Sequence, residues 1–116
     1  MHNSLILQFT VNILSDIVTL KVSVRFFTSL REITGTKEET LEFSDKEKVT
    51  VDKILTTLSS HYGKGFVDYV YDAKTHKVTG FLQFLINGAS ASTMKGLQTE
   101  LKDGDVLAIL PPVGGG

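Results

Sequence analysis

Lys102-Asp103-Gly104-Asp105-Val106-Leu107-Ala108-Ile109-Leu110 is the stretch whose reading decides the fold. A glycine between two aspartates reads as a tight turn. The five residues after it are apolar without alternation, the pattern of a strand covered on both faces and therefore central in its sheet. Upstream, Phe81–Ile86 reads as a buried strand turned by Asn87-Gly88, a pair suited to a two-residue hairpin. Leu97 and Leu101 anchor the loop between them. Further back, Val22, Val24 and Phe26 alternate with Lys21, Ser23 and Arg25, as in a half-buried strand. Leu41 and Phe43 mark a second strand close enough to be its hairpin partner. Ser29–Thr34 fills the connection as a short helical turn stopped by Gly35.

One long helix is expected. Thr50 suits an N-cap for Val51–Tyr62, with Asp52 favourable in the first turn. Val51, Ile54, Leu55, Leu58 and Tyr62 form one apolar stripe, and Gly63 ends it. This stripe is core material that must cover the sheet. Gly65–Gly80 reads as a connector anchored by Phe66, Val67, Tyr69, Val70 and Tyr71. The class is α+β, a mixed sheet under one main helix.

Composition narrows the chemistry. The chain has 116 residues, 41% hydrophobic and 22% charged, with a net charge of −1. That charge supplies no field for nucleic acid or an anionic membrane. There is no cysteine, so no disulfide framework or thiolate nucleophile is available. His2, His61 and His76 are scattered, giving no metal-ligand spacing. In Met1–Thr19 the only charged residue is Asp16. It lacks a signal peptide's positive region and cleavage site, and Gln8, Asn12 and Asp16 interrupt any membrane span. Residues 1–19 are therefore expected to be an extension whose periodicity fits strand and helix alike, on a cytoplasmic protein. The functional unit is expected over 20–112, with a tail over 113–116.

The tail carries the chemistry. Pro111 and Pro112 fix φ and favour an extended stem. Val113, Gly114, Gly115 and Gly116 follow. The Gly116 carboxylate has no Cβ beside it and can pass down a channel too narrow for any other residue. A stiff stem with a bare tip suits a protein that offers its own terminus as a chemical handle.

Val24-Arg25-Phe26-Phe27-Thr28-Ser29-Leu30-Arg31-Glu32-Ile33-Thr34-Gly35 resembles the opening of the MoaD/ThiS family of ubiquitin-like sulfur carriers. Asn87-Gly88, the run Gly96–Asp105, Pro111-Pro112-Val113 and Gly115-Gly116 resemble its second half. The resemblance spans Leu20 to Gly116. It lies nearest the molybdopterin synthase small subunit, MoaD, and the archaeal-type members with a longer connector. Residues 1–19 are extra to it, and Ala89–Met94 depart from its pattern. It implies a β-grasp fold in which the first and last main strands run parallel at the sheet centre.

The resemblance also implies a mechanism. A ubiquitin-activating-type enzyme would use ATP to adenylate Gly116, and sulfur delivery would give a thiocarboxylate. The chain itself would bind no cofactor and no metal. It would serve as a non-catalytic carrier subunit, Gly115 permitting the narrow approach to a partner's active site. The implied partner is the molybdopterin synthase large subunit (MoaE-like), acting on cyclic pyranopterin monophosphate. The alternative joins activated Gly116 to lysines of target proteins, as small archaeal modifiers and the ubiquitin-related modifier do, and tRNA thiolation is a further outlet. Strand alternation and the family register put Leu107 and Ile109 towards the helix. Phe27 and Leu110 then fall on the opposite face, where with Pro111, Pro112, Val113 and Gly114 they would form the partner-binding surface.

Overall fold

Alternating apolar residues build the first strand, β1 (Thr19–Phe26), of the computed structural model, which describes residues 19–112. Leu20, Val22, Val24 and Phe26 are buried, while Lys21 and Arg25 are exposed. Thr19 thus belongs to β1, and the remainder of the expected extension lies outside the described residues. Helix α1 (Ser29–Thr34) follows and ends at Gly35, whose φ of 75° is the left-handed conformation glycine adopts freely. Strand β2 (Glu38–Ser44) returns antiparallel to β1, in register from Thr19 opposite Ser44 to Arg25 opposite Glu38.

Helix α2 (Val51–Tyr62) has the expected bounds and cap: the Lys53 amide donates to Thr50 Oγ1 at 3.1 Å. Val51, Ile54, Leu55 and Leu58 are buried in the cluster that holds Val22, Val24, Phe26, Leu107 and Ile109. Each such side chain contributes about 1.5–3 kcal/mol by leaving water. The expected connector is only partly one. Its first part is a helix, α3 (Lys64–Val70), which buries Phe66 and Val70. Gly63 joins α3 to α2 with φ 75°. The Phe66/Val70 spacing, i and i+4, is too brief a period to separate a two-turn helix from a loop with anchors.

Strand β3 (Gln83–Ile86) is shorter than the expected Phe81–Ile86. Leu82 is buried but outside the strand, and Phe81 is 46% exposed, not core. Asn87 and Gly88, at φ 51° and 87°, form the expected hairpin turn to β4 (Ala89–Ser90), pairing Ile86 with Ala89. Two short 3-10 turns, Ala91–Thr93 and Gly96–Gln98, lead to the buried Leu101. Strand β5 (Val106–Leu110) completes a sheet of order β2-β1-β5-β3-β4. It runs parallel to β1 and antiparallel to β3, in the sheet centre as expected. Its burial is one-sided, however. Leu107 and Ile109 are buried, whereas Val106, Ala108 and Leu110 are half-buried on the face that carries no helix among the described residues. The unbroken apolar run identified a central strand, which the described residues cover with helices on one face.

Candidate functional site

The site is the root of the tail, where β5 hands the chain to Pro111 and Pro112. The turn before β5 is stitched to the start of β1. The Gly104 amide donates to the Lys21 carbonyl at 2.8 Å, and the Lys21 amide donates to Asp103 Oδ1 at 2.8 Å. The Ser23 amide donates to the Asp105 carbonyl at 3.0 Å. On the β3 side, Asn87 Nδ2 donates to Asp105 Oδ1 at 2.8 Å, and the Val106 amide donates to Asn87 Oδ1 at 2.9 Å. One end of β5 is therefore fixed by side-chain and backbone bonds, and the other carries the tail.

Of the expected site residues, the structure places Phe27, Leu110, Pro111 and Pro112 at one end of the sheet. Phe26 pairs with Ile109 across the parallel strands, so the next residues, Phe27 and Leu110, stand level. Phe27 and Leu110 are half-buried, Pro111 likewise, and Pro112 is exposed. Val113, Gly114, Gly115 and Gly116 lie outside the described residues. Ala108 and Leu85 pair beside Leu110 on the face opposite α2 and are also half-buried. Together they make a partly apolar surface of the kind that marks contact sites.

Phe27 is held in place by its neighbours. The Phe26 amide donates to the Lys37 carbonyl at 2.9 Å, and the Leu30 amide to the Phe27 carbonyl at 3.1 Å. Thr28 has φ 46°, a conformation that costs a β-branched residue of order 1–3 kcal/mol. Beside Phe27 lies a hollow of about 220 Å³ lined by Arg25, Arg31, Lys37 and Glu38. Three cations against one carboxylate, with Arg25 Nε 3.7 Å from Glu38 Oε1, suit an acidic partner side chain. Larger hollows of about 480 and 400 Å³ lie elsewhere, around Phe43 and Lys53 and beneath Thr79 and Leu97. Neither is lined by Leu110 or Pro111, though the second reaches Gln83, the strand partner of Leu110.

Behind the site, Tyr62 packs edge-on against Phe26 with ring centroids 5.9 Å apart. Its hydroxyl donates to Glu39 Oε1, and His61 Nδ1 lies 2.8 Å from Glu39 Oε2. Burial first, then the hydrogen bond and charge of Glu39, push the Tyr62 hydroxyl up to about 12. This clasp ties α2 to β2. Sequence reasoning missed it because residues 39 and 62 meet only through the fold; it missed the Asn87 staple because Asn87-Gly88 reads as turn chemistry alone. Among the described residues no group of three His, Asp or Glu side chains could hold a metal, and no helix is long and apolar enough to cross a membrane.

A helix-covered mixed sheet with parallel central strands β1 and β5 defines a ubiquitin-like β-grasp protein. The profile of the ThiS family matches residues 24–116, and the chain belongs to that family. A provisionally named sulfur carrier protein of Archaeoglobus fulgidus is 32% identical over 72 residues, covering 62% of this chain and 80% of that one. Small archaeal modifier protein 3 of Haloferax volcanii is 29% identical over 97 residues, 84% of this chain and 100% of that one. The solution structure of small archaeal modifier protein 1 from Methanosarcina acetivorans is 32% identical with a TM-score of 0.69, covering 85% of this chain and 99% of that one.

Proposed function

We propose that this protein is a sulfur carrier whose reactive group is the Gly116 carboxylate. A carboxylate is a poor electrophile and must first be activated. In the proposed reaction its oxygen attacks the α-phosphorus of ATP on a ubiquitin-activating-type enzyme, forming an acyl adenylate and releasing pyrophosphate. A sulfur donor at the hydrosulfide level then attacks the acyl carbon and expels AMP, leaving a thiocarboxylate. That sulfur attacks an electrophilic carbon of the acceptor and displaces an oxygen leaving group, and water then cleaves the acyl–sulfur bond, restoring the carboxylate and leaving the sulfur on the acceptor as a thiolate. The chain contributes placement, delivering its terminus to another protein's active site as a tethered reactant.

The observation that carries this reading is the root of the tail. The central strand delivers the chain to Pro111 and Pro112, and half-buried Phe27 and Leu110 stand beside that exit. Membership of the ThiS family supports it. The acceptor we favour is the pterin precursor bound by a molybdopterin synthase large subunit, on the resemblance of Val24–Gly35 and Pro111–Val113 to MoaD. A second reading, conjugation of Gly116 to lysines, is favoured by the likeness to small archaeal modifier proteins. Intact mass of the native protein tests both. One oxygen-for-sulfur exchange at the C-terminus is expected. Isopeptide bonds from Gly116 to lysines of other proteins, without that exchange, would replace carriage with conjugation.

A further inference from the structure

Phe81 belongs to no part of the surface described so far, yet it stands at the same end of the molecule. The last pair between β3 and β5 is Gln83 with Leu110. Phe81 lies two residues before Gln83, in the turn that the Leu82 amide closes on the Thr79 carbonyl at 3.5 Å, at the end of the sheet from which Pro111 and Pro112 leave. Leu82 is buried, whereas the turn leaves Phe81 exposed against α3. The sheet order β1-β5-β3 therefore leaves the tail root flanked by Phe27 on one side and Phe81 on the other. Large hydrophobic side chains open to solvent are few among the described residues: Val67, Phe81 and Met94, with Phe81 the most exposed at 46%.

Phe81 is also backed by an aromatic neighbour. Tyr69 of α3 packs against it edge-on, with centroids 6.0 Å apart and planes at 74°. Phe66 and Val70 bury the helix that carries Tyr69. The Thr79 amide donates to the Val70 carbonyl at 2.8 Å, tying the Phe81 segment to the same helix. A large ring supported from behind and open in front loses little conformational freedom on binding, as anchor residues at interfaces do.

The tail limits what can cover it. In the carrier reading, on which this inference rests, residues 113–116 separate Pro112 from the reacting carboxylate. Four residues span at most about 13–14 Å. An active site that encloses Gly116 therefore brings its walls to within that distance of Pro112, over Phe81. A second copy of the chain on this face would obstruct the same tail. We propose that Phe81, supported by Tyr69, is a specificity-determining anchor for the adenylating enzyme, seated in an apolar recess at the rim of that enzyme's tail channel.

The test is ATP–pyrophosphate exchange, driven by the full chain and the ubiquitin-activating-type enzyme of the same organism. Phe81→Ala should raise the concentration of chain needed for half-maximal exchange about tenfold, with the saturating rate and the melting temperature unchanged. Phe81→Leu, still apolar, should recover most of the loss. Exchange curves for Phe81→Ala that superimpose on an active unaltered chain would overturn the anchor and leave the carrier reading standing. Absence of exchange with the unaltered chain would overturn both. A dimer in sedimentation that Phe81→Ala dissolves would assign the ring to self-association instead.

Discussion

Neighbouring phenylalanines on opposite faces separate stability from recognition. Phe26 is fully buried, touching Tyr62 and the β-sheet core. Phe26→Ala should cost about 3–5 kcal/mol through lost transfer energy and the cavity left behind. Phe27, half-buried beyond the end of β1, should cost far less when truncated. Phe27→Ala should instead weaken binding to the activating enzyme about tenfold or more, since burying a Phe contributes about 1.5–3 kcal/mol. Denaturant melts and titration calorimetry on both variants check this. Equal destabilisation with normal binding by Phe27→Ala would place that ring in the core. Tyr62 gives a pH-dependent counterpart. Its hydroxyl rises from 10.0 to about 12 in the folded protein, so the fold holds that proton more tightly than the unfolded chain. The resulting stability is complete below pH 10 and is lost as pH rises towards 12. Melting temperatures should thus fall less steeply across that interval in Tyr62→Phe than in the unaltered chain.

Two element boundaries carry side-chain bonds that can be removed singly. Thr50→Ala deletes the cap of α2 and should cost about 1 kcal/mol. Asn87→Ala leaves the Val106 amide without its side-chain acceptor and frees Asp105 from its amide donor. That loss should cost about 1–2 kcal/mol, and amide exchange should rise first at Val106 and its neighbours on β5. The cap was legible from Thr50-Val51-Asp52, because capping is local and its stripe runs three turns. So were Gly35 and Asn87-Gly88, whose positive φ values are written in residue type. Helix α3 was not, because two turns give a period too short to stand out and tertiary burial of Phe66 and Val70 decides the matter. The place of Phe81 was also illegible: its apolarity argued for the interior, whereas the fold sets it at a strand end against Tyr69. Central placement of β5 followed from its unbroken apolarity, but that pattern overstated its cover among the described residues, because a contact surface and a core face use the same residue types.

For the whole molecule, the fold and the proposed chemistry are separable. The core cluster runs from Leu20 to Ile109, and Pro112 is already exposed. Deleting Gly115 and Gly116 should leave the denaturation midpoint and its slope unchanged, because two glycines have no side chain to bury. The same deletion should abolish pyrophosphate exchange at every concentration, since no carboxylate would reach the α-phosphorus of ATP. Replacing Gly116 with Phe should act similarly, its side chain blocking the channel. Binding of the truncated chain to the activating enzyme should fall only modestly, because Phe27, Leu110 and Phe81 remain. Persistent adenylation after truncation would move the reactive carboxylate away from Gly116. Loss of binding together with exchange would show instead that the tail, not the sheet face, holds the enzyme.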